Sequence, residues 1–206
     1  MSISNYGELK SELSAYLFHT RLANRYANCT KLFEIAANSR LRVLPMETSA
    51  LLTTASGTVA LPTDYITWRT VKYPSRREYG ELDYVHPAYL PSVQLNRHPP
   101  VFTIEGNNFI TRPVNDTTGA WEFHYYQKIP SLVATPSSDS TTNWLLLEYP
   151  NAYLFGVITE LAAVQRNAEM AQLYKARRDE AFQEIIQRYA MTTGATSSAV
   201  RTATYY

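Results

Sequence analysis

The chain has 206 residues, enough to bury one compact core with a small second lobe, and its 19 Lys plus Arg against 18 Asp plus Glu leave a formal net charge of +1. That balance excludes the basic footprint of a free-standing nucleic-acid binder, and the single cysteine, Cys29, excludes an intramolecular disulfide or a cysteine zinc cage and suits a reducing compartment. No stretch reaches the roughly 18 apolar residues that cross a bilayer, and the opening MSISNYGELK lacks a basic-then-apolar leader, so a soluble protein made in the cytoplasm with no membrane partner is expected.

The first element reads as a helix. Tyr6, Leu9, Leu13, Tyr16 and Leu17 recur at three- and four-residue steps, and Asn5 with Glu8 has the spacing of an N-cap and its acidic partner. After a break at His19 and Thr20, a second stripe of Leu22, Tyr26, Cys29, Phe33 and Ala36 ends in the polar cluster Asn38, Ser39 and Arg40. Two helices so close in sequence predict an antiparallel hairpin. From Met46 to Tyr126 the period changes to short β-rich runs: ETSALLTTA, TVALP, ITWRTVKY, VFTIEG, NNFITR and GAWEFHYYQ. Gly106-Asn107-Asn108 predicts a hairpin pairing VFTIE with FITR, and the whole stretch reads as an antiparallel meander. Residues Pro87 to Leu95 suggest a short helix across it, against which Pro91 argues. The polar, proline-bearing SLVATPSSDSTT at 131–142 reads as an exposed loop closing the β section.

Helix returns with Pro150 suited to a first helical position and Leu154, Ile158, Leu161 and Gln165 in register. Asn167 interrupts the run as the cap of a further helix, with Tyr174, Phe182, Ile185 and Tyr189 on one face. The final TTGATSSAVRTATYY has no period and the composition of a flexible arm, yet it carries Val200, Tyr205 and Tyr206. Helices at both ends whose apolar stripes must cover one another give an α+β class. The expected parts are a helical hairpin at 1–45, a β-rich insertion at 46–143, helices at 144–190 that complete the helical domain, and an arm at 191–206.

Chemistry is sparse. There is no Walker loop, dinucleotide glycine fingerprint, HExxH, GxSxG or paired CxxC, and His19, His86, His98 and His124 lack the i, i+4 spacing that aims two imidazoles at one metal. Cys29 falls on an apolar stripe, where a thiol is a small hydrophobe. No catalytic residue, metal or cofactor is therefore assigned. Glu78, Glu81 and Asp83 cluster near Arg76 and Arg77; a solvated loop explains them, and only a cleft holding two acids about 5–9 Å apart would make a glycosidase of them. Arg166, Lys175, Arg177, Arg178 and Arg188 tint the last helices basic, which a solvated face interleaved with Glu169, Asp179, Glu180 and Glu184 explains, contact with DNA or an acidic partner being the alternative. Sixteen tyrosines beside seven glycines fit either strand and core positions or extensive subunit contact, where a ring with a polar tip is at home.

The order of the N-terminal helices, RLRVLPMET at 40–48, VALPTDYI at 59–66, VFTIEGNNFITRP at 101–113, WEFHYYQKIPSL at 121–132 and TNWLLLEYPNAYLFGVITELA at 142–162 resembles bacteriophage head-to-tail adaptor proteins, also called neck, connector or head-completion proteins. The likeness covers roughly residues 6–190 and is one of layout and packing residues; the arm from Thr192 has no counterpart. It implies a virion protein of the neck, made in the host cytoplasm, forming a dodecameric homo-oligomeric ring beneath the portal protein. Such a ring prolongs the channel through which double-stranded DNA passes without specific binding, and offers a platform to the tail or nozzle protein. It also suggests portal or subunit contacts through the arm, with Val200, Arg201, Tyr205 and Tyr206 as anchors, and through Arg177 and Arg178. Competing readings are a tail-associated cell-wall hydrolase acting through Glu78 and Glu81, another neck component such as a stopper or tube completion protein, and a bacterial scaffold unrelated to phage.

Overall fold

The computed structural model describes residues 3–17, 20–54, 56–73, 80–92, 100–112, 120–134 and 138–193. It divides the chain into two compact units, Met1–Pro45 with Ile129–Tyr206, and Met46–Lys128. Helices and antiparallel or mixed sheets coexist, an α+β fold.

The first unit is helical: α1 (Tyr6–Leu17), a 3-10 turn (Thr20–Arg25), α2 (Tyr26–Arg40), α3 (Trp144–Glu148), α4 (Pro150–Val164) and α5 (Ala168–Thr193). α1 begins as its sequence dictates. Asn5 Oδ1 accepts the Glu8 N–H at 2.9 Å, and the Glu8 carboxylate reaches back one residue beyond the cap to the Ser4 N–H at 2.7 Å. Asn143 caps α3 by accepting from Leu146 N at 2.9 Å, Pro150 opens α4, and Asn167 accepts from Met170 N at 3.1 Å to cap α5.

Nine of the fifteen residues of α4 are buried, spread around its circumference, so it runs through the centre with α1, α2, α3 and α5 packed on it. The apolar stripes of α1 and α2 are covered by α4 more than by each other, although Ser14 Oγ lies 3.2 Å from the Tyr26 hydroxyl. Phe33 of α2 joins three helices: its ring centroid stands 4.8 Å from Tyr153 on α4 and 6.0 Å from Phe182 on α5. Gly156 makes that approach possible, because a Cβ there would lie 2.0 Å from Phe33 Cδ2.

The second unit holds two sheets. One has the order β1 (Glu47–Thr53), β7 (Ala120–Gln127), β3 (Tyr65–Lys72); the other runs β2 (Thr58–Ala60), β6 (Asn108–Arg112), β5 (Val101–Glu105), β4 (Asp83–Tyr84). The meander expected from the sequence does not form. β7 enters between β1 and β3, antiparallel to both, and β4 pairs with β5 in parallel. The reason lies in β7, whose alternate residues Trp121, Phe123 and Tyr125 are buried and need walls on either side, which a central position supplies. The predicted hairpin is present: Glu105 pairs with Asn108 across a two-residue turn, and Gly106 takes φ +60° there. One core, including Val71, Phe102, Phe109, Trp121 and Phe123, unites the sheets, with Phe109 and Phe123 centroids 5.5 Å apart. The expected helix at Pro87 is a 3-10 turn over Pro87–Ser92; residues 93–95 lie outside the described part.

The 131–142 segment is a loop, exposed at Ala134, Ser138, Asp139, Ser140 and Thr142 as expected, but it is anchored to the helices. Leu132 is fully buried, and Ile129 N donates to Asn38 Oδ1 at 2.8 Å. Further along, the Thr141 and Asp139 carbonyls accept from Tyr6 N (2.9 Å) and Gly7 N (2.8 Å) at the start of α1. The stretch from Ile129 groups with the helices, where the backbone groups of Ile129, Pro130, Leu132, Asp139 and Thr141 find partners.

Candidate functional site

The residues singled out for chemistry are dispersed. Glu81 is exposed, its carboxylate 3.9 Å from Lys72 Nζ, and Asp83 is exposed on β4; Glu78, Arg76 and Arg77 lie outside the described residues. His124 Nε2 sits 3.1 Å from Glu122 on a sheet face, and His86 Nδ1 accepts from Ala88 N at 3.2 Å; His19 and His98 lie outside the described residues. Among the described residues no group of three or more His, Cys, Asp and Glu could hold a metal ion. Cys29 is buried, and that burial, aided by the charge of Glu160, pushes its thiol pKa up and away from a reactive thiolate. No helix among the described residues is long and apolar enough to cross a membrane.

One buried acid went unnoticed in the sequence. Glu34 of α2 accepts from Leu132 N (2.8 Å), Ser131 Oγ (2.6 Å) and the Tyr153 hydroxyl (3.3 Å). Asn143 Nδ2 donates to Pro130 O (2.7 Å) and lies 2.6 Å from the same hydroxyl. Burial raises the Glu34 pKa despite these hydrogen bonds and the nearby Lys31 charge. Each group here holds a neighbour in place, so the network reads as a fastening of 130–132 to α2 and α4. Its signal was present in the sequence, since Glu34 follows Thr30 by four positions and precedes Ala37 by three on the buried side of α2.

The two arginines assigned on α5 part company. Arg178 is only 5% exposed: its Nε and Nη2 donate to Asp179 Oδ1 at 3.0 and 2.8 Å, and its guanidinium lies 6.0 Å from the Phe182 ring centroid. Arg40 donates to the same oxygen at 2.6 Å. Burial alone would raise the Asp179 pKa, but the Arg178 bonds and both cationic charges outweigh it and hold the carboxyl below its ordinary value. Arg177 is exposed, with its guanidinium 5.7 Å from the Phe155 ring centroid. Val200, Arg201, Tyr205 and Tyr206 lie outside the described residues.

Arg177 borders a groove of about 410 Å³ between α4 and α5, lined also by Asn151, Phe155, Leu173, Ala176, Glu180 and Glu184. Leu173 is 53% exposed beside it. On α2, Leu32 (51%) and Ile35 (66%) are exposed on the side away from Phe33, next to exposed Lys31. The sequence reading followed only the inward stripe of α2 and missed these two, whose signal was a second, shorter apolar run at i, i+3. Large aliphatic side chains held in water on rigid helices can serve cohesion with another surface, and they offer no reacting group.

No curated protein matches the chain. Residues 4–203 match the family described as SU10 adaptor protein, which spans nearly the whole sequence, and the chain therefore belongs to this family of phage head-to-tail adaptors, as a structural component of the virion.

Proposed function

We propose that this adaptor forms a ring between the portal and the tail, extends the DNA channel and provides the platform on which the tail assembles. The observation that carries the reading is the family match over residues 4–203. The exposed aliphatic residues of α2 and α5 agree with a chain that functions in copies, and closure of a ring follows when one face of a subunit meets a different face of the next. Twelve copies is the expected number, from the resemblance of the layout to dodecameric connectors.

In this reading the channel lets DNA pass without grip, since each retained phosphate contact would tighten binding and make it more salt-dependent. The near-neutral charge suits such a conduit. Residues 191–206, of which 191–193 complete α5, supply a contact to the portal or to a neighbouring subunit, with Val200, Arg201, Tyr205 and Tyr206 as anchors. The test is addition of the purified chain to portal-bearing capsids, followed by electron microscopy of the vertex. A ring of density beneath the portal is expected, and loss of attachment on deletion of residues 195–206 is expected with it. Density elsewhere on the particle, or none, refutes the placement; unchanged attachment of the truncated chain refutes the role of the arm.

A further inference from the structure

The helical unit carries two apolar surfaces that differ in shape and charge. The first is convex: Leu32 and Ile35 stand one turn apart on α2, 51% and 66% exposed, with Lys31 beside them and in no ion pair among the described residues. The second is concave: the α4/α5 groove has Phe155, Leu173, Ala176 and Ala181 as apolar lining and Arg177, Glu180 and Glu184 as charged lining, the guanidinium over the Phe155 ring and neither acid in an ion pair among the described residues. The ridge is aliphatic with one flanking cation; the trough is aliphatic and aromatic, and its two anions outnumber its one cation.

We infer that the α2 ridge of one copy seats in the α4/α5 groove of the next, with Leu32 and Ile35 on Phe155 and Leu173 and with Lys31 opposite Glu180 and Glu184. This deepens the ring reading and rests on it for the closure of the assembly. The two surfaces belong to different helices of one chain, so the contact is heterologous and leaves a ridge and a groove free at the ends of any open oligomer. The net negative charge of the groove suits Lys31 beside the ridge, and the chain's own C-terminal residues, with the one cation Arg201, are the competing occupant that the test separates. The aliphatic contact supplies the cohesion. The charges at its rim select the register, as exposed ion pairs add little free energy.

The test uses single cysteines on exposed positions. Ile35→Cys and Leu173→Cys proteins are treated with a short bis-maleimide, separately and mixed, both free at high concentration and after addition to portal-bearing capsids; wild type, whose Cys29 is buried, is the control. The expected result is a dimeric product several-fold more abundant in the mixture than with either variant alone. Lys31→Glu is expected to lower the yield about 2–5-fold and Glu180→Lys with Glu184→Lys to restore it, the range of an exposed ion pair. Absence of the mixed product in both preparations overturns the inference. So does equal linking by Ile35→Cys alone, which means a symmetric pairing of α2 with α2. Capture of Leu173→Cys by a cysteine placed at Val200 of the same chain, or by a capsid protein, also overturns it by naming another occupant of the groove. Capsid attachment of unmodified protein reports separately on the ring: attachment without the cross-link removes this interface alone, and a persistent cross-link without attachment removes the placement at the portal while keeping the self-contact.

Discussion

Replacing Gly156 by alanine sets two opposing effects against each other at one atom. In a helix interior alanine is favoured over glycine by about 1 kcal/mol, so an unconstrained site would gain stability. Here the added Cβ would stand 2.0 Å from Phe33 Cδ2, 2.3 Å from Cε2 and 2.9 Å from Cγ, where carbon atoms in contact prefer about 3.5–4.0 Å. The ring cannot simply retreat, being packed against Tyr153 and Phe182. Relief requires α2 and α4 to separate by more than an ångström along a contact that also carries Glu34. Overpacking of this kind costs about 1–3 kcal/mol, and a displacement this large belongs at or above the upper end. After the propensity gain, a net loss of about 2 kcal/mol is expected, or a drop in Tm of about 4–8 °C for a chain this long. Urea unfolding followed by far-UV circular dichroism measures it. The companion experiment is Phe33→Leu, alone and combined with Gly156→Ala: the smaller side chain makes room, so the double variant should be more stable than the sum of the single effects by about 1 kcal/mol or more. A Gly156→Ala protein as stable as wild type, or strict additivity with Phe33→Leu, would refute the claim that this glycine exists for the aromatic ring.

Glu34→Ala leaves the Leu132 N–H without its acceptor and should lower stability by about 1–3 kcal/mol, whereas Glu34→Gln keeps an acceptor and should fall within about 1 kcal/mol of wild type at neutral pH. Because burial raises the Glu34 pKa above its ordinary 4.5, the folded protein binds the proton more tightly than the unfolded chain does. The contribution of this residue is therefore fully present below the ordinary value and declines as pH rises through the folded pKa. A decline present in wild type and missing in Glu34→Gln is the expected difference, and parallel stability-versus-pH curves would contradict it. Thr103→Val replaces a buried hydroxyl that has no hydrogen-bond partner among the described residues and should raise Tm by a few degrees; a lower Tm would mean that the hydroxyl is satisfied after all. Asn143→Ala removes both the α3 cap and the bond to Pro130 O and should cost about 2 kcal/mol in thermal unfolding, with Asn143→Asp recovering the cap but leaving the Pro130 carbonyl unpaired.

Helix periods and caps were legible because they depend on neighbours in sequence: Asn5, Pro150 and Asn167 each sit where their local chemistry placed them. The Gly106 turn was legible for the same reason. Strand order was not, since nothing local to AWEFHYYQ says that it will part β1 from β3, and the deciding quantity is the burial of Trp121, Phe123 and Tyr125 on one face of β7 in the assembled core. Polar composition made the exposed loop at 131–142 legible but not its anchoring, in which the Ser131 hydroxyl binds α2 and the Asp139 and Thr141 carbonyls bind the start of α1. Arg178 illustrates the limit for a site. As one of several cations on α5 its charge is plain in the sequence, but its burial against Asp179 and Phe182 is a property of packing, and only Arg177 of the pair remains exposed at the groove.

The helical unit is built from two stretches of chain separated by the whole β unit. On a ribosome adding about 5–20 residues per second, α2 is finished roughly 5–20 s before α4, which begins about 110 residues later, has been made. For that interval Phe33 and the rest of the inward side of α2 have no central helix to settle on, while Met46–Lys128 already emerges as an unbroken stretch able to condense by itself. Synthesis thus schedules the helical unit to close last, around α4, and leaves the nascent N-terminal helices dependent on whatever shelters apolar chain near the tunnel exit.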